Sequence, residues 1–157
     1  MALEKPKAAV VAADAARLDE LTELALALWP EKAPGAMKKA AAEWLASDKW
    51  KGFLAVQDGR CVGFALLSIR TDYVEGSDGD GPVGYVEGVY VSPECRRQGI
   101  SRALLDAGER WARVKGCKQM GSDLYVGNED SYAFHLGVGC REAGRIVCMI
   151  KDLEPED

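Results

Sequence analysis

Two spacings of hydrophobic residues alternate along this chain, and each marks a different element. After Asp14, a residue suited to capping, Leu18, Leu21, Ala25 and Leu28 recur at three- and four-residue intervals and predict an amphipathic helix. Pro30 and Pro34-Gly35 interrupt it, and Met37, Ala40, Ala41, Trp44 and Leu45 share one side of a second helix over about 36–47. Phe53–Gln57 and Cys61–Arg70 then read as strands joined through Asp58-Gly59, a pair suited to a tight hairpin turn. A polar, glycine-rich loop from Asp72 to Pro82 leads into Val83–Val91, an aromatic and β-branched strand stopped by Pro93. Ile100, Leu104, Ala107, Trp111 and Val114 return to helical spacing up to Gly116. Residues 7–13 read as a first strand, 118–124 as a short strand, 129–137 as a short helix and 141–153 as a final strand pair or bend. The order of elements predicts an α/β fold with a central mixed, mostly antiparallel sheet flanked by helices. No repeat or linker divides residues 1–157, so a single domain is expected.

Composition narrows the function more than the fold. At 157 residues, with 48 % hydrophobic and 29 % charged positions, the chain has the make-up of a soluble globular domain. Its longest apolar stretches, Ala8–Ala13 and Leu24–Trp29, fall far short of the roughly 20 residues of a membrane span. The N-terminal segment has no apolar core with a cleavage site, so no signal peptide is expected. Five cysteines without a CxxC pair, beside one histidine, predict reduced thiols in a cytoplasm and no metal site. With 25 acidic against 20 basic residues the net charge is −5. That balance argues against nucleic acid and suits a cationic ligand, although solubility alone also accounts for it.

The most informative segment joins Val83–Val91 to the helix beginning near Ile100. Arg96-Arg97-Gln98 leads into Gly99 where that helix starts. The first amides of a helix lack intrahelical acceptors and sit at the positive end of its dipole, so they bind anions. Glycine lets a phosphate approach the main chain, and arginine adds charge-assisted hydrogen bonds. Neither the Walker pattern nor the dinucleotide GxGxxG is present.

Arg96-Arg97-Gln98-Gly99-Ile100-Ser101 resembles the acetyl-CoA signature Gln/Arg-x-x-Gly-x-Gly/Ala of the GCN5-related N-acetyltransferases (GNATs), with Ser101 in place of the usual Gly or Ala. The resemblance implies the GNAT fold, with its sheet splayed at the acetyl-CoA site. It implies that the main chain of Gln98 to Arg102 holds the pyrophosphate, beside Arg96 and Arg97. Backbone groups of Val89 and Val91 would pair with the pantetheine arm, and Asn128 would also contact the cofactor. Over roughly residues 28–151 the chain is similar, within that family, to the aminoglycoside 6′-N-acetyltransferases. The matching pieces include Leu28-Trp29-Pro30, Ser68-Ile69-Arg70-Thr71-Asp72-Tyr73-Val74-Glu75-Gly76 and Val86-Glu87-Gly88-Val89-Tyr90-Val91, then Ser122-Asp123, Asn128 and His135 with Gly139. By this resemblance Trp29, Tyr73, Glu87 and Asp123 line the acceptor pocket, and a homodimer is expected.

The residues themselves fit a polycationic acceptor. Asp72, Glu75, Asp78 and Asp80 crowd one loop, and Glu87 lies inside an apolar strand where an unpaired carboxylate is costly. An alkyl amine with a pKa near 10 must lose a proton before it attacks a thioester. Glu87, directly or through water, is the candidate general base, and the resemblance suggests the amide of Val89 as oxyanion donor. His135 occupies the place of the family's tyrosine general acid. Tyr132, or no acid at all, remains open, because a thiol of pKa about 8.5 leaves tolerably unaided. An acetyltransferase for another small amine or a protein amine, and an acyl-CoA sensor without catalysis, are the alternatives.

Overall fold

The computed structural model describes residues 7–156. Its centre is a five-stranded sheet in the order β1-β2-β3-β4-β5, comprising Ala9–Ala12, Trp50–Gln57, Arg60–Arg70, Val83–Val91 and Met120–Ser122. The first four strands are antiparallel neighbours; β5 joins β4 in parallel. The β2–β3 hairpin turns at Asp58 and Gly59, both at positive φ (54° and 73°), as the Asp-Gly pair predicts.

Period-two alternation sorts the side chains of β2 and β3 onto two faces. Leu54, Phe64 and Leu66 pack with Leu21, Leu24 and Ala25 of α1 (Leu18–Leu28) and with Met37 and Ala41 of α2 (Pro34–Ala46). Ala55, Ala65 and Leu67 form the opposite core with Ile100 and Leu104 of α3 (Ile100–Val114). Asp14 caps as expected, its carboxylate accepting from the Ala16 amide, but it opens a turn of 3-10 helix over Ala15–Arg17 that then runs into α1. Pro34, read in the sequence as a breaker, is the first residue of α2, where its fixed φ and missing N–H cost nothing. No helix among the described residues is long and apolar enough to cross a membrane.

Two features of the sheet prepare the ground for a binding site. Register between β3 and β4 pairs Leu66 with Gly88 but Leu67 with Val86, which makes Glu87 the extra residue of a β-bulge. Beyond it β4 and β5 part company: β5 covers only Gly84–Val86, so the edge of β4 from Glu87 to Val91 is left open.

Of the strand pair or bend expected over 141–153, no strand forms. After α4 (Glu129–Gly137) the chain runs out from Arg141 as an arm without helix or ladder. Glu142 is tied to Tyr132 and Arg145, while Ile146, Val147, Met149, Ile150 and Leu153 stand 72–95 % exposed. The apolar run that suggested a strand is present, yet nothing among the described residues of this copy pairs with it.

Candidate active site

The open edge of β4, the start of α3 and the end of α4 enclose a groove of about 290 Å³ lined by Val91, Cys95–Arg97, Gly99–Arg102, Phe134, Gly137 and Val138. Ser92 donates its N–H to Val62 C=O, so alternation turns the amides of Tyr90 and Gly88 toward β3 and those of Val89 and Val91 toward the open edge. Val91 C=O is already taken, accepting from Arg96 Nε at 2.9 Å. Gly99 sits at φ +76° before α3, with no atom within 4 Å of where a Cβ would stand. A left-handed glycine facing free space at a helix N-terminus, beside two arginines, fits the phosphates of a coenzyme A.

The neighbouring side chains are less uniform than the signature suggests. Gln98 Oε1 accepts from Gln57 Nε2 at 3.0 Å, which fastens the turn to β2. Arg97 adopts φ +63°, and Arg102 reaches across to donate to Gly137 C=O at 2.6 Å, closing the groove against α4. Asn128 caps α4, its side-chain oxygen accepting from the Ser131 amide at 3.2 Å, and it is not among the groove's lining residues. Sequence reasoning missed Phe134, Gly137 and Val138, whose contribution depends on how α4 folds back over α3.

A second set of residues gathers on the α1–α2 face of the sheet, where Ser68 and Arg70 continue the alternation of Phe64 and Leu66. The bulge turns Glu87 to that same side: Ser68 Oγ donates to Glu87 Oε1 at 2.6 Å, and Arg70 Nη2 donates to Oε1 at 3.0 Å and Oε2 at 3.3 Å. The Arg70 guanidinium also lies 3.4 Å from the centroid of the Tyr85 ring, and the Tyr85 hydroxyl donates to Asp123. Burial, and then the bond to Asp123, raise the Tyr85 pKa far above the ordinary phenol value, so this hydroxyl stays protonated. Trp29 meets Phe64 and Trp44 edge-on at 6.0 and 6.3 Å between centroids. Its indole also leans over Gly88, where any Cβ would come within 2.7 Å of the ring. The structure therefore brings Glu87 and Trp29 to adjoining positions, with Asp123 linked through Tyr85 and Arg70. Tyr73 stands apart on its loop, 75 % exposed, donating to Glu75 at 3.0 Å. Ser68 and Arg70 stand in the sequence only as part of the matching piece Ser68 to Gly76, with no role of their own, although both lie at period two on a strand facing Glu87.

His135 projects from α4 toward β5. Its Nδ1 lies 2.6 Å from Ser131 C=O, an acceptor only, so Nδ1 carries the proton. In the neutral ring Nε2 then accepts from Ser122 Oγ at 2.8 Å. Tyr132 donates to Glu142 at 2.8 Å, a bond that raises the pKa of this exposed phenol.

Residues 18–139 match the model of the Acetyltransferase (GNAT) family. This chain belongs to that family. Among curated GNAT relatives, the aminoglycoside N(6′)-acetyltransferase type 1 of Salmonella typhimurium is 38 % identical over 130 residues, 83 % of this chain and 89 % of that protein. The Serratia marcescens enzyme of the same name is 36 % identical over 145 residues, covering 92 % and 99 %. A solved structure of AAC(6′)-Iy with the bisubstrate analogue CoA-S-monomethyl-acetylneamine superposes with a TM-score of 0.90 at 33 % identity, over 94 % of this chain and 100 % of that one. The same enzyme in complex with CoA gives a TM-score of 0.91 at 32 % identity, over 96 % and 99 %. The fold class expected from the sequence, and the family resemblance, both hold.

Proposed function

We propose that this GNAT protein transfers the acetyl group of acetyl-CoA to an amine of an aminoglycoside, the 6′ amine by analogy with its relatives, in a ternary complex without an acyl-enzyme. The observation that carries the reading is the adjacency of two half-sites across the β4 bulge. One is a phosphate-fitting groove at the splayed edge; the other is a carboxylate-bearing pocket beside Trp29.

Acetyl-CoA supplies the activated thioester. The amides of Gln98 to Arg102, with Arg96 and Arg97, hold its pyrophosphate, while the edge amides of Val89 and Val91 bind the pantetheine arm. The Val89 N–H serves as the donor that receives developing negative charge on the thioester oxygen. Trp29 offers a flat surface to a sugar ring, Tyr73 borders the entrance, Asp123 attracts a neighbouring ammonium group, and Glu87 receives the reacting amine. Glu87 orients the reacting amine and the water that takes its proton, since Ser68 and Arg70 already engage both of its oxygens. His135 is the candidate acid for the departing thiolate through Nε2, since its Nδ1–H is committed to Ser131 C=O. A cytoplasmic setting, where acetyl-CoA is made and thiols stay reduced, completes the reading, with antibiotic resistance as the consequence of turnover.

The test is thiol release from acetyl-CoA with kanamycin, tobramycin and spermidine as parallel acceptors. Turnover of the first two is expected. Turnover of spermidine alone would transfer the activity to polyamines, and cofactor binding without turnover of any amine would point to a sensor. Gly99→Val is expected to weaken acetyl-CoA binding on the order of tenfold or more, because the new side chain adopts a costly φ and occupies phosphate space. Unchanged affinity in a calorimetric titration would remove the phosphates from this turn.

A homodimer belongs to the same proposal. Five apolar side chains of the arm, each at least 72 % exposed, offer an apolar surface for a partner to cover. Each copy carries one such unpaired arm and one unpaired outer edge of β5, so two copies satisfy each other about a two-fold axis. Sedimentation is expected to give a dimer for the wild type and a monomer for the Val147→Asp/Ile150→Asp double variant; a monomeric wild type would refute the pairing.

A further inference from the structure

The position of Arg70 bears on a step that acetyl transfer by Glu87 and Val89 leaves underdetermined: how a bound ammonium becomes a nucleophile. An isolated carboxylate stabilises the ammonium it binds and so opposes loss of the proton. Glu87 is not isolated. Its Oε1 accepts from Ser68 and Arg70 and its Oε2 accepts from Arg70, which leaves about one of the carboxylate's four lone-pair sites for an acceptor N–H. The guanidinium keeps its charge at every working pH and is pinned from its other side by the face of Tyr85, itself fixed by Asp123. Glu87 is the more shielded of the two, at 20 % side-chain exposure against 37 % for Arg70, so solvent screens the pair only from the arginine side.

We infer that Arg70 is a positioning residue that cancels the charge of Glu87 so that the pocket prefers the neutral form of the reacting amine. This rests on the amine-acetylation reading and assigns the origin of the nucleophile within it. Passing the proton from the ammonium to Glu87 leaves the total charge beside Arg70 unchanged, so that transfer gains nothing from it. Release to solvent does gain: the N–H bond breaks, its electron pair stays on nitrogen, and the proton leaves with water while Glu87 remains ionised. The other ionisable groups near this pair are each held by a partner of their own. Tyr85 on β4 stays protonated, Asp123 after β5 is held by the Tyr85 hydroxyl, and the residue just past α1 is the uncharged Trp29. Tyr73 and Glu75 on the loop pair with each other, and His135 of α4 is tied to Ser122 and Ser131.

The test compares wild type, Arg70→Gln and Arg70→Lys in thiol-release assays from pH 6 to 9.5, with kanamycin and with spermidine. Arg70→Gln is expected to lower KM and, at pH 7, to lower kcat about tenfold, with the acid limb of the kcat profile moved up by about one pH unit. Its kcat should approach the wild-type value at the alkaline end. Arg70→Lys, which keeps the charge but not the two-point geometry, should restore the wild-type limb. A uniform fall in kcat with raised KM and an unmoved limb would mean that Arg70 only holds Glu87 in place, and would overturn the inference. So would Arg70→Lys behaving as Arg70→Gln, or no change in either variant. The charge signature is expected with any primary amine. Silence with kanamycin but the signature with spermidine therefore removes the aminoglycoside reading and leaves this one standing. Silence with both, in a protein that binds acetyl-CoA, overturns both.

Discussion

Glu87→Gln lowers kcat for kanamycin on the order of 10²-fold and raises KM, with acetyl-CoA affinity unchanged. The amide keeps the shape of the carboxylate and one acceptor oxygen, so the fold has little reason to respond. Its charge is gone, however, and the site then presents the uncompensated guanidinium of Arg70 to an incoming ammonium. Binding is weakened by repulsion, and no anion remains to order the amine and the water that removes its proton. With the amide oxygen in the place of Oε1, Ser68 and Arg70 keep the acceptor they share, but Arg70 loses its contact to Oε2. Steady-state thiol release checks the prediction. A loss below about threefold would show that the proton leaves without help from this residue.

Phe64→Ala has the largest expected effect on stability, about 3–5 kcal/mol by loss of transfer energy and creation of a cavity. Phe64 is fully buried on β3, between the helices α1 and α2 and the sheet, and meets the edge of Trp29. A domain of this kind is stable by only about 5–15 kcal/mol, so the variant loses a substantial part of its margin. The midpoint of urea unfolding should fall without a change in slope. Because Phe64 also backs Trp29, the folded fraction should bind aminoglycoside more weakly while binding acetyl-CoA normally, since the phosphate turn lies on the other side of the sheet. A cost under about 1.5 kcal/mol would mean that this face is less tightly packed than the contacts indicate.

The sequence carried the elements whose signals are local. Val83–Val91 and 129–137 have the bounds read from the sequence, and the Asp58-Gly59 turn has the backbone that its two residues favour. The signature around Gly99 was readable because phosphate binding needs a particular residue at a helix start. Glu87 stood out for the opposite reason, as a charge in an apolar strand. What was not legible depended on the register and the return path of distant segments. Ser68 and Arg70 acquire their meaning only from pairing across the β3–β4 ladder, and Phe134 and Val138 only from α4 lying against α3. The arm beyond Arg141 has the hydrophobic pattern of a strand, but a strand needs a partner, and pattern alone does not say which chain provides it.

The bulge at Glu87 is a change of phase in the sheet. Upstream of it, Val86 sides with the α3 core; downstream, Val89 and Val91 do so, three residues on rather than two. The interruption lets two successive residues, Glu87 and Gly88, face the same side, so the carboxylate and the gap beneath Trp29 lie next to each other instead of back to back. Deleting one residue here would do more than remove a carboxylate. It would restore a single frame from Val83 to Val91, and every position on one side of the cut would then have to turn over or slide by one along β3. The acceptor pocket and the cofactor edge are thus set in relation to each other by one surplus residue, and their alignment is a property of the count along the strand as much as of the side chains it carries.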